Sequence, residues 1–244
     1  MLFRDEDNAH RLLKNISYYR LKGYWWDVQN DPVLHTFQPD VYFEDIIERY
    51  EFDRRLRIIL FDAIEQIEIA LRTKMIYNMS IAYGGLWYLN PALFEPATIT
   101  QQGVTQTAHL FALDELQKEF NRSQEIFIKN QRMRYPGQNV DAWKILEVAS
   151  MGTLSKLYKN LKNKLPEKAA IANEMGLNST FTFVGWIESI TLLRNIIAHH
   201  ARLQLYLQPI IQNMLVLKNY FYSFGFSNSA PFPKWYLLSF RRCY

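Results

Sequence analysis

Residues 194–200 read RNIIAHH. The chain holds only five histidines, and two of them, His199 and His200, are adjacent. Arg194, Asn195 and His199 are the residue types that metal-free cleavage of an RNA phosphodiester uses. A histidine that titrates near neutral pH can take the proton from a 2′-hydroxyl or give one to the leaving oxygen. An arginine can hold the phosphate through two hydrogen bonds and stabilise the charge that grows on it. An asparagine can orient the imidazole or a phosphate oxygen. One histidine per chain is thin for both roles, and a symmetric dimer would supply two.

The element that must position these residues is a helix, expected over about Thr180 to Leu207. On a helical wheel Trp186, Ile190, Leu193 and Ile197 cluster on one side, widened by Leu192, Ile196 and Leu203. His200 falls in the middle of this apolar face and reads as a structural core histidine. Glu188, Thr191, Asn195, His199 and Arg202 lie opposite, with Arg194 at the edge. Neighbouring histidines on a helix point about 100° apart and cannot share one metal ion. Read from periodicity alone, the same polar face is also what a solvated helix surface looks like.

A second long helix is expected from near Asp40 to Gly84-Gly85. One apolar stripe runs Phe52, Leu56, Ile59, Ala63, Ile67, Ala70, and an adjacent one runs Leu60, Ile64, Leu71, Met75. Glu51–Arg55 and Glu68–Arg72 are spaced as i,i+4 ion pairs. Asp62, Glu65 and Glu68 resemble a carboxylate cluster, but their spacing suits structural pairs with Arg72 or a neighbouring helix.

Asp5–Ile16 fits a short helix, and QNDPVLHTFQPD a loop. LWYLNPALFEPATITQQG reads as a connector. One or two helices are expected from Gln106 to about Arg134, two more hinged at Gly152, a glycine cap at Gly176, and a last helix over about Pro209–Ser223. No strand alternation is evident. The expectation is one all-α domain over 1–244, with an N-terminal extension at 1–40, a long core helix at 41–80 and the motif helix at 180–207.

Composition narrows the classes further. Hydrophobic residues at 49% exclude a disordered chain. The single cysteine, Cys243, excludes a disulfide framework or a cysteine-based zinc site within one chain. No run of about 18 apolar residues and no apolar leader are seen, so the expectation is a cytoplasmic protein without a membrane span. A net charge of +4 permits a polyanionic partner without requiring one. Lys156, Lys159, Lys162, Lys164 and Lys168 form a basic run, either a solvated face or a track for phosphates. YYRLKGYWW at 18–26 could stack on unpaired bases, although packing against the long helix is the stronger reading. No Gly-rich phosphate loop and no metal-spaced ligand motif occur, so neither a cofactor nor a metal is expected.

RNIIAHH fits the Arg-x4-His motif of the HEPN superfamily, with a polar residue directly after the arginine. More narrowly, the chain resembles the Abi-like family of bacterial abortive-infection proteins, of the AbiD/AbiF type. The resemblance rests on an ordered series: YYRLKGYWW at 18–26, YEFDRRLRIILFDAIEQIEIALR at 50–72, YGGLWYLNPALF at 83–94, WKILEVASMGTLSKLYKNLK at 143–162 and LRNIIAHHARL at 193–203. Past this point the chain reads QLYLQ, where the family continues with Trp-Asn-Arg-like residues. The resemblance implies a HEPN-like helical bundle and a toxin-like, metal-independent endoribonuclease in phage defence. It implies a homodimer with a composite site, and catalytic roles for Arg194, Asn195 and His199. It also implies RNA as substrate, and a restraining non-coding RNA as a partner. Arg202, Lys156, Lys159 and Lys162 become candidate RNA contacts. The alternative is a catalytically silent module of the same fold that binds RNA or protein. A third reading is a purely structural protein whose polar motif face is a dimer seam.

Overall fold

The apolar ladder of the long helix decides what it buries. The computed structural model describes residues 1–203 apart from positions 32 and 102. In it a 41-residue helix runs over Phe43–Tyr83, α3 once α1 (Glu6–Asn15) and α2 (Tyr18–Lys22) are counted. Leu56, Leu60, Ala63, Ile64, Ile67, Leu71, Met75 and Met79 are buried along it, while Phe52 is exposed. The second of the two apolar stripes is therefore the main core stripe. Glu51 pairs with Arg54 at 2.9 Å rather than with Arg55.

The remaining helices are α4 (Ala108–Arg122), α5 (Ile126–Arg134), α6 (Ala142–Ile145), α7 (Met151–Asn160), α8 (Pro166–Glu174) and α9 (Thr180–Ala198). The fold is all-α, with two small hairpins. One pairs β1 (Gln29–Asp31) with β2 (Thr36–Phe37); the other pairs β3 (Thr98–Gln101) with β4 (Val104–Thr107). Both fall in stretches the sequence reading left without strands. Strands of two to four residues are too short to show alternation. The break between α6 and α7 lies at Ala149–Ser150, and Gly152 is inside α7. Ser150 caps α7 by accepting the Thr153 N–H, as Thr107 caps α4 and Asp5 caps α1. The helix expected over 209–223, and the tail beyond it, lie outside the described residues.

The chain divides into two compact units, residues 1–62 with the segment from Ile196, and residues 63–195. In the first, Ala9, Leu21, Tyr24, Trp25, Phe43 and Ile46 form the core, with Leu12, Leu13, Ile16, Phe37 and Tyr50 packed on it. YYRLKGYWW thus splits by residue: Leu21, Tyr24 and Trp25 are buried, while Tyr19 and Trp26 stay exposed.

In the second unit α7 is tied at both ends. Glu119 of α4 accepts the Ser150 N–H at 3.1 Å, and Arg72 of α3 donates to the Ala149 carbonyl at 2.9 Å while pairing with Glu68 at 3.0 Å. At the other end the Lys168 ammonium donates to the carbonyls of Lys159 and Leu161 and to Asn163 Oδ1. Lys168 therefore leaves the basic surface run. It is 1% exposed and places a cation at the negative end of α7.

Burial pushes the Lys168 amine down to about 8. Between that value and the ordinary lysine range the unfolded chain holds the proton and the folded chain does not, so stability rises with pH there. Lys168→Met keeps the stem but leaves the α7 carbonyls without donors, at a cost of about 2 kcal/mol. In paired urea melts, wild type is expected to gain further on the variant as pH rises from about 8 towards 10.

Candidate active site

Helix α9 ends three residues after the motif asparagine. Its last helical residue is Ala198, not Leu207. His200 adopts a left-handed conformation, with φ 55°. Its N–H bonds to the Ile197 carbonyl and the Ala201 N–H to the Ile196 carbonyl, each at 2.9 Å. This is a Schellman closure with His200 at the position glycine usually takes. Helix α8 ends the same way around Gly176, with φ 81° and the matching bonds from Gly176 and Leu177.

The closure changes the role of His200. The expected core position does not exist, because the helix has turned off before it. His200 is exposed and serves as the turn residue. His199 is the last residue before the turn. It follows Asn195 by four positions, on the final turn of α9 or its edge. Asn195 and His199 are exposed, and Arg194 is half-buried. Among the described residues none of the three side chains makes a hydrogen bond or ion pair.

Helix α9 is the one described helix long and apolar enough, by length and composition, to cross a membrane, with a mean hydropathy of 1.2. Phe183, Trp186, Ile187, Ile190 and Leu193 are buried in the second unit, which accounts for much of that apolarity. Leu192 does not widen the buried face as expected. It is 58% exposed, and Phe181 is 88% exposed. Phe181, Gly185, Glu188, Leu192, Asn195 and His199 therefore form one exposed stripe at steps of four and three.

The chain after the turn is anchored inside the first unit. Arg20 Nη1 donates to the His200 carbonyl at 2.8 Å. Asp53 Oδ1 accepts the Leu203 N–H at 3.0 Å, and Leu203 itself is fully buried. Asp53 is ion-paired with Arg57, one turn on along α3, and accepts the Tyr24 hydroxyl at 2.7 Å. Arg57 also reaches the Ala201 carbonyl at 3.5 Å. Burial, together with the Asp53 carboxylate, pushes the Tyr24 phenol up to about 12, although Arg57 pulls the other way. Arg202, expected beside His199 on a helix face, instead places its guanidinium 5.8 Å from the Tyr24 ring centre and against Gly23.

Three of the family-like blocks meet here: YYRLKGYWW through Arg20 and Tyr24, YEFDRRLR through Asp53 and Arg57, and HHARL through its backbone. The sequence reading missed Asp53 and Arg57. The signal was present, because 53, 57, 60, 64, 67 and 71 form a ladder of fours and threes that carries the core stripe back onto the ion pair.

The family of Abi-like proteins matches residues 11–204. The chain belongs to the Abi-like family. No curated protein and no solved structure matches it. Membership fits a role in abortive infection, which is a form of phage defence. The matched span ends one residue past Leu203, so it takes in the anchored turn together with the blocks that grip it.

The basic run divides. Lys156 is exposed, Lys159 is exposed but paired with Glu188 at 2.6 Å, and Lys162 is half-buried with its N–H on the Leu93 carbonyl. Glu68 and Arg72 hold each other and the Ala149 carbonyl.

A left-handed conformation costs a side-chain-bearing residue roughly 1–2 kcal/mol, less the greater chain entropy glycine loses on folding. His200→Gly is therefore expected to raise stability by about 0.5–1 kcal/mol, read as a higher urea midpoint with unchanged slope.

Proposed function

We propose that the protein is a HEPN-type endoribonuclease acting in phage defence. The observation that carries this reading is the placing of Arg194, Asn195 and His199 within about one turn of each other at the end of α9, their side chains unengaged by the rest of the described chain. A catalytic triplet needs its polar groups free to meet substrate, and among the described residues these three are free.

In this mechanism one His199 takes the proton of a 2′-hydroxyl. The 2′-oxygen attacks the adjacent phosphorus and the bond from phosphorus to the 5′-oxygen breaks. A second His199, protonated, gives its proton to that leaving oxygen. The product ends in a 2′,3′-cyclic phosphate. Arg194 holds the phosphate oxygens, and Asn195 orients the imidazole or a phosphate oxygen.

The two histidines come from a homodimer joined along α9. Support for this is the exposed stripe, in which Phe181 and Leu192 supply apolar contacts and Asn195 and His199 complete the same line. Steps of four and three are the spacing at which two helices pack. RNA is the substrate, and a non-coding RNA bound to the resting protein would act as its restraint. Lys156 is exposed and makes no ion pair among the described residues, which leaves it open to contact phosphate.

Purified protein, freed of bound nucleic acid and incubated with total RNA in EDTA, is expected to cleave and to leave cyclic phosphate ends. His199→Ala and Arg194→Ala should each lower the rate by about 100-fold or more, and His200→Gly should retain it. Leu192→Glu should give a folded monomer by light scattering that no longer cleaves. RNA binding that survives His199→Ala, with no cleavage by wild type, would replace the enzyme with a binding module.

A further inference from the structure

The end of a helix is where its backbone loosens, because its last carbonyls lack intrahelical partners. His199 stands at such an end, and no side chain among the described residues holds its ring. The backbone at His199 sets where its side chain starts, and that backbone leads straight into the turn that follows. The next four residues are each gripped by a different group. Arg20 takes the His200 carbonyl, Arg57 the Ala201 carbonyl, the Tyr24 ring and Gly23 the Arg202 side chain, and Asp53 the Leu203 N–H. Asp53 and Arg57 are each about 95% buried, so their grip is fixed by the core rather than by solvent-exposed rotamers. Arg20 is different. It is exposed, and its one side-chain hydrogen bond among the described residues is to the carbonyl of His200, the residue after His199.

We propose that Arg20, Asp53 and Arg57 are positioning residues for the motif histidine, a clamp that locks the left-handed turn at His200 and so aims His199. This rests on reading His199 as the acid and base. Arg20 is the adjustable member, because it holds the turn from the surface. The buried pair Asp53–Arg57 supplies the fixed anchor for Leu203.

Arg20→Ala separates the clamp from the fold, since an exposed side chain is removed. On the full-length protein it is expected to lower kcat by about 10-fold, with KM for RNA within about 2-fold and the melting temperature little changed. Arg20→Lys, which restores one donor, should recover part of the loss. Independently of any cleavage, the His199 ring signal in a histidine-selective NMR spectrum, assigned with His199→Gln, is expected to shift or broaden in Arg20→Ala. The other ring signals, except that of His200, should stay in place. Asp53→Asn keeps an acceptor for the Leu203 N–H and loses the charge that holds Arg57, so it should move the same His199 signal.

A rise in KM at constant kcat would make Arg20 an RNA contact and overturn the proposal. So would a wild-type His199 signal in both Arg20→Ala and Asp53→Asn. If wild type does not cleave RNA but the signal moves in both variants, the clamp stands and the ribonuclease reading falls.

Discussion

The carboxylate of Asp53 is buried on the helix face that otherwise carries leucine and isoleucine. A charge in that position must be paired and fully hydrogen-bonded, because removing one partner of a buried pair costs about 3–5 kcal/mol. Arg57, the Tyr24 hydroxyl and the Leu203 N–H supply its partners. Each comes with a cost of placement: Tyr24 must stand in the first unit's core, and the chain must come back to the same spot after 150 residues. A buried ion pair is weak evidence of net stabilisation, but its partners are demanding in position. This pair decides which backbone segment may close over the start of the long helix, and that segment is the one directly after the motif.

That demand explains why the motif helix stops where it does. Had α9 continued to 207, the Leu203 N–H would have bonded to the carbonyl four residues back rather than to Asp53. The chain leaves the helix at His200 through a left-handed residue, and it does so without the glycine that closes α8 at Gly176. The local cost of placing a histidine there is met by the bonds made by the next residues. The two adjacent histidines thereby part company. His199 stands one residue past the last helical position, Ala198, and His200 takes the left-handed position of the turn.

Much of the architecture was legible in the sequence, and the reasons are physical. The ladder Leu60, Ile64, Ile67, Leu71 has a period only a helix has, and Gly176 sits where a left-handed residue is cheap. Glu68 and Arg72 stand one turn apart and pair as spaced. The Arg194–Asn195–His199 spacing was visible for the same reason. The misreadings share a cause as well. Each depends on what the folded chain does or does not bring against the residue. Nothing near His200 announces a turn, because Arg20, Asp53 and Arg57 help to impose it. Lys168 looked like a surface lysine among others until the carbonyls of Lys159 and Leu161 closed around its ammonium. Leu192 looked like core because periodicity separates apolar from polar, not covered from uncovered.

Leu192 also bears on how α9 should be understood. The helix buries one apolar side in its own unit and leaves Phe181 and Leu192 in solvent on the side that ends in Asn195 and His199. Leucine and phenylalanine gain nothing from water, and a solvated stripe would tolerate any polar residue there. The stripe carries Phe181 and Leu192 along its length, with Gly185 and Glu188 between them, and ends in Asn195 and His199. Under the ribonuclease reading the apolar part would hold two copies together while the end stays open to substrate. The clamp at residues 200–203 then acts at the one place where it matters. Packing against a second copy could fix the body of α9, but a frayed last turn would still let the imidazole swing. A histidine moving a proton works only within hydrogen-bond reach of the atom it serves.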